Sequence, residues 1–264
     1  YFQRVAELNP ANATVHYKIA EILSKSVKEE DLISAAQNIE LALKYEKKNK
    51  YFYLLASNIY AGLNQFDKAT AALETMMKEV KGTDEYLYEL AALYTFDKKE
   101  DEALKAYNRA ESIMGVDEIS STQKQRIYLD RGKVDEALLE GEKLIKTYPD
   151  EERYLLGFAE TLSRYGQNQK AIEYVESFIK DHPEAGASRM MLAGLYRDAG
   201  QEEKSRAYVL EIFDDPSVEL NSKVLMLGTY ATTMTNNKEK NISDTQLESF
   251  TVSLFKKLES NYPT

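Results

Sequence analysis

The sequence predicts an all-α solenoid of stacked helix pairs, and three observations carry that expectation. A small residue recurs every 34 positions, at Ala35, Ala69, Ala103, Ala137, Ala171 and then Ser205. A fixed period between 20 and 50 residues marks a stacked repeat, and 34 suits a helix–turn–helix unit. Apolar residues within each period fall three and four apart, as Val15, His16, Ile19, Ala20 and Leu23 do, which is the spacing of one helix face. Only 11 Gly and 5 Pro occur in 264 residues, with little Val/Thr alternation, and this favours helix over strand.

Taken in order, residues 1–12 read as the second helix of an incomplete unit, entered in mid-helix at Tyr1-Phe2-Gln3-Arg4 and stopped at Asn9-Pro10. A full unit follows at 13–49, with a first helix over Ala13–Lys25 and a second from about Leu32 to Tyr45. Units at 50–83, 84–117, 118–151, 152–185 and 186–216 keep the period. Each turn between helices is placed four residues past Tyr60, Tyr94, Tyr128, Leu162 or Tyr196, at Asn64, Lys98, Gly132, Gly166 and Gly200. Asn and Gly there suit the positive φ of a helix C-terminal cap, and Lys98 stands out as the exception. Acidic residues such as Asp101-Glu102 and Asp135-Glu136 open the second helices, at the positive end of the dipole. Residues 217–264 depart from the period. They predict a divergent terminal helix pair or cap: a helix over Val218–Met234, a polar loop at 236–241 and a helix over Asp244–Ser260, stopped at Pro263.

The small residues themselves are read as packing sites. A bulky side chain at Ala69 or Ala103 would hold the two helices of a unit apart, and Ser57, Ala91, Ala159 and Ala193 face that close approach from the first helices.

Tyr60…Ala69 and Tyr94…Ala103, nine apart, with Ala110 or an apolar equivalent and a terminal Pro149 or Pro183, resemble the tetratricopeptide repeat. The resemblance covers about Ala13–Pro216 and implies a single right-handed superhelix of about seven antiparallel helix pairs, the first and last irregular or partial. It implies a concave groove that binds extended or helical segments of other proteins. Members of the family that clamp a chaperone's C-terminal carboxylate use Lys, Asn, Asn, Lys and Arg at sites held here by Leu54, Asn58, Glu89, Ile119 and Gln123. Only Asn58 matches, so that variant is disfavoured.

Composition narrows the function classes. With 44 acidic against 34 basic residues the formal charge is −10, which disfavours sequence-independent binding to nucleic acid or an anionic membrane. No cysteine is present, so disulfides, Cys-ligated metals and thiol catalysis are excluded, while the compartment stays open. No apolar run approaches the ~18–20 residues that span a bilayer. The two histidines read as a packing residue, His16, and an exposed helix-end residue, His182. Without a His-x-x-x-His pair, a Gly-rich phosphate loop or a nucleophile elbow, neither catalysis nor a metal or cofactor is expected.

The first helices are therefore expected to line the groove. Their inward stripe places Tyr51, Leu54 and Asn58 from one unit, Tyr88 and Phe96 from the next, then Arg126, Arg153 with Arg164, and Met190 with Arg197. The aromatic residues lie N-terminally and the arginines C-terminally. Arginine binds carboxylates bidentately, so this wall suits an acidic peptide; the competing reading pairs the arginines with Asp130, Glu160 and Asp198 beside them. In the unit at Glu118, Ser121, Lys124 and Gln125 occupy sites that neighbours fill with apolar or small residues, which marks its first helix as the least stable. The sequence thus points to a non-catalytic protein-interaction scaffold, with a peptide-sensing regulator or the recognition arm of a larger enzyme or transport assembly as alternatives.

Overall fold

A computed structural model describes residues 2–216 and 218–262 of the chain. The helix stop expected at Pro263, and the starts of the first and last units at Tyr1 and Ser217, lie outside the described residues. Among the described residues the regular structure is helical throughout, in two compact units, one reaching Lys133 and one beginning at Val134.

The first unit holds α1 (Phe2–Leu8), α2 (Ala13–Leu23), α3 (Glu29–Tyr45), α4 (Lys50–Gly62), α5 (Phe66–Glu79), α6 (Leu87–Phe96), α7 (Glu100–Met114) and α8 (Glu118–Asp130). The second holds α9 (Val134–Thr147), α10 (Glu152–Arg164), α11 (Asn168–Asp181), α12 (Gly186–Asp198), α13 (Glu202–Asp214), α14 (Leu220–Glu239) and α15 (Thr245–Asn261). The pairs α2/α3, α4/α5, α6/α7, α10/α11 and α12/α13 make the most extensive contacts, as a helix–turn–helix repeat requires.

The period is a packing constraint. Ala35, Ala69, Ala103, Ala137 and Ala171 are fully buried, and Ser205 nearly so. Ser57, Ala91, Ala159 and Ala193 are buried as well. Larger residues then fill the spaces between pairs, such as Leu73, Met76 and Leu87 in the first unit and Leu162, Ile172 and Leu192 in the second. His16 is core as expected, with its ring nitrogens 3.1 Å from Asn38 Oδ1 and 2.9 Å from Pro10 O. His182 is half-buried rather than exposed, because its ring stacks on Phe178 with centroids 4.3 Å apart.

Tyrosines brace neighbouring pairs. Tyr60 Oη donates to Glu40 Oε1 at 2.6 Å and Tyr94 Oη to Glu74 Oε1 at 2.8 Å; Tyr196 Oη donates to Glu176. In each case the glutamate precedes the tyrosine by 20 residues. Where the tyrosine site holds Leu162, Tyr174 Oη takes over the corresponding carboxylate, Glu142, at 2.7 Å. Burial, then the carboxylate acceptor, pushes the Tyr94 and Tyr174 phenols up to about 12 and those of Tyr60 and Tyr196 in the same direction.

Several helix boundaries differ from the expectation, three of them with a clear local cause. α3 starts at Glu29 instead of Leu32, because Glu29, Glu30 and Asp31 sit favourably in its first turn. α14 runs on to Glu239 instead of stopping near Met234, since Asn236–Glu239 contains no Gly or Pro to break it, and the left-handed residue is Asn241 (φ 55°). The unit at Asp84 opens with a 3-10 turn over Asp84–Tyr86 that has no side-chain cap; the Thr83 hydroxyl points back and donates to Val80 O at 2.9 Å.

The five inter-helix turns fall where the sequence places them, with φ of 56° at Asn64, 58° at Lys98, 69° at Gly132, and 74° at both Gly166 and Gly200. Lys98 therefore adopts the same left-handed cap despite its Cβ, a conformation that costs an L-residue roughly 1–2 kcal/mol. Lys98→Gly removes that cost and restores part of it as unfolded-chain entropy. The variant is expected to be more stable by about 0.5–1 kcal/mol in urea denaturation; an unchanged or lower midpoint would contradict the strain.

Candidate functional site

In the first unit, α6 turns Leu87, Leu90 and Ala91 into the core. The opposite stripe, Glu85, Tyr88, Ala92, Thr95 and Phe96, faces a cleft of about 780 Å³. α8 closes the other side with Ile119, Gln123 and Arg126, and Tyr107 from α7 contributes to the lining. The structure thus gathers three expected groove residues, Tyr88, Phe96 and Arg126, around one space. Phe96 is 74% exposed and Ile119 57%, so two large apolar side chains stand open at the cleft.

Polar groups fix its walls. Tyr88 Oη donates to Asp117 at 2.5 Å, and Asp117 also caps α8 by accepting from the amides of Ile119 and Ser120 at 2.8 and 3.0 Å. Burial pushes the Asp117 carboxyl up, but these hydrogen bonds outweigh it and hold the group below its ordinary range. Glu89 on α6 moves the other way, raised by burial and then by the neighbouring charge of Glu85. With Glu85 and Glu89 set against Lys98 and Arg126, the lining carries both signs.

α8 is held in an unusual manner. Ser120, Ser121 and Lys124 are fully buried. The Lys124 ammonium reaches Glu111 on α7 as an ion pair and donates to Asn108 Oδ1 at 3.1 Å. The polar helix seen in the sequence is thus a helix with an internal charge pair, a feature that spacing alone did not reveal. The readable signal was Asn108: it occupies the repeat position of Glu40, Glu74 and Glu176, and here it serves Lys124.

The other expected groove residues are distributed differently. Tyr51, Leu54 and Asn58 lie on α4; Tyr51 and Asn58 are exposed and Leu54 packs against the core. In the second unit, Met190 and Arg197 meet Leu225, Met226 and Tyr230 around a cleft of about 310 Å³ between α12 and α14. Every arginine of the expected wall has a local carboxylate: Arg126 with Asp130 at 3.9 Å, Arg153 with Glu151 at 3.7 Å, Arg164 with Glu160 at 2.7 Å and Arg197 with Asp198 at 3.1 Å. Arg153 also lies over the Tyr154 ring, 4.4 Å from its centroid. Exposed pairs of this kind are worth little, so they leave the guanidinium groups available for exchange. Among the described residues no group of three or more His, Cys, Asp or Glu could hold a metal ion, and no helix is long and apolar enough to cross a membrane.

Paired helices, left-handed turns and an open cleft between first helices define a helical-repeat protein. Residues 156–217 match the family model described as tetratricopeptide repeat. No curated protein matches it. Its fold is similar to the C-terminal part of a TPR repeat-containing protein from Cytophaga hutchinsonii, at 15% identity and TM-score 0.55 over 94% of this chain and 96% of that one. It is also similar to a chain in the structure of Naa15/Naa10 bound to HypK-THB, at 14% identity and TM-score 0.61, covering 99% of this chain and 39% of that one.

The buried pair yields a stability test. Glu111→Ala removes the carboxylate that pairs with the buried Lys124 ammonium and is expected to cost about 3–5 kcal/mol in urea denaturation. Glu111→Leu combined with Lys124→Leu is expected to recover most of that loss. Equal destabilisation by the single and double variants would contradict an electrostatic cause.

Proposed function

We propose that this chain is a non-catalytic protein-interaction scaffold and that the α6/α8 cleft receives a segment of its partner. The tetratricopeptide fold supports the general role, since such repeats serve as protein-interaction scaffolds. The observation that carries the specific reading is the pair of open apolar side chains, Phe96 and Ile119, beside Tyr88 and Tyr107. Aromatic anchors of this kind provide contact area at low entropic cost and concentrate binding energy in a few residues. Because the cleft lining balances Glu85 and Glu89 against Lys98 and Arg126, apolar anchoring governs this site more than net charge. The acidic partner suggested by the arginines is not favoured here.

A display library of random short peptides, selected on the wild-type chain, tests the reading. Enriched peptides are expected to carry a large apolar residue and to bind Phe96→Ala about tenfold or more weakly, as loss of a binding hot spot requires. Enriched peptides that bind Phe96→Ala as well as wild type would overturn the assignment.

A further inference from the structure

The opposite face of the first unit, made by second helices, contains a separate cleft of about 450 Å³ between α3 and α5. Its lining includes Lys44, Lys47 and Lys68 against a single acidic residue, Glu79. Among the described residues no carboxylate lies within ion-pair distance of these three lysines, whereas the arginines of the first-helix face each have one. The nearby hydroxyls are already committed: Tyr60 Oη donates to Glu40 at 2.6 Å and Tyr53 Oη to Lys47 O at 3.0 Å. Lys68 is held over the Tyr60 ring, its ammonium 5.3 Å from the centroid, and this confines it to the cleft. Three cations are thus collected in one recess of a chain whose formal charge is −10.

We propose that this cleft binds an acidic segment of a partner polypeptide, with Lys44, Lys47 and Lys68 as the carboxylate-binding groups. Each ammonium supplies three donors, and side-chain carboxylates can approach over the small residues Ala56, Ala71 and Ala72. The apolar floor gives a peptide main chain something to lie on, a feature that a free phosphate does not use. Nucleic acid and anionic bilayers present broad negative surfaces that the remaining acidic surface of the chain repels. The site stands apart from the α6/α8 cleft and does not depend on it.

The chain contains no tryptophan, so a synthetic Asp/Glu-rich peptide carrying one Trp provides a clean fluorescence probe. A matched peptide with Asn and Gln replacing the acids is the reference. Wild type is expected to bind the acidic peptide about tenfold more tightly than the reference, with the preference shrinking as salt is raised. The variant Lys44→Gln/Lys47→Gln/Lys68→Gln is expected to lose the preference with its helicity intact, since all three side chains are exposed. Lys25→Gln/Lys28→Gln/Lys78→Gln makes the same change in net charge elsewhere on exposed surface and is expected to keep it. No preference in wild type, equal loss in both variants, or retention by the first variant would overturn the proposal. Displacement of the peptide by inorganic phosphate at a comparable concentration would likewise overturn it, in favour of a free-anion site.

Discussion

Everything in this chain is arranged around the points where the two helices of a repeat cross. Ala35, Ala69, Ala103, Ala137 and Ala171 are completely removed from solvent, and Ser57, Ala91, Ala159 and Ala193 on the first helices are buried as well. Close packing leaves no room for additional methylenes at such positions, and overpacking a core typically costs about 1–3 kcal/mol. Because the backbones approach closely there, the larger residues are pushed to the flanks. They either fill the space between pairs, as Met76 and Leu87 do, or stand out from the repeat, as Phe96 does.

The flanks are where the repeats diverge, and polar chemistry has been used to vary them. The usual brace is a tyrosine reaching a glutamate 20 residues earlier, as with Tyr60 and Glu40. At the unit of Glu118 the glutamate site becomes Asn108, and a buried Lys124 held by Glu111 supports the helix instead. That substitution positions α8, and α8 forms one side of the α6/α8 cleft. A buried charge pair is weak as a source of stability but strict in geometry, since either partner alone is heavily penalised. The cleft wall is therefore fixed by a polar contact, while its lining stays open.

Much of the fold was legible because it rests on local chemistry repeated at fixed spacing. The left-handed turns at Asn64, Gly132, Gly166 and Gly200 are written in residue type, and Lys98 follows by position alone. The extension of α14 through Asn236–Glu239 was not legible, because polar residues without Gly or Pro permit both helix and loop. For the site, Tyr88, Phe96 and Arg126, which helical spacing put on the inward stripe, line one cleft. That spacing left open whether Arg126, Arg164 and Arg197 turn to the carboxylates beside them, and it did not single out Lys44, Lys47 and Lys68 as cations with no carboxylate within ion-pair distance. Rotamers and cross-helix partners decide these features, and they depend on tertiary neighbours that a one-dimensional pattern does not specify.

Each repeat divides into positions that build the helix pair and positions that face outward from it. Urea denaturation of Ala103→Leu beside Phe96→Ser tests that division directly. Ala103→Leu is expected to lower stability by about 1–3 kcal/mol through overpacking, and Phe96→Ser to change it by no more than about 0.5 kcal/mol as a surface substitution. Equal losses from the two variants, or a tolerated leucine at 103, would contradict the packing constraint on which the structure depends.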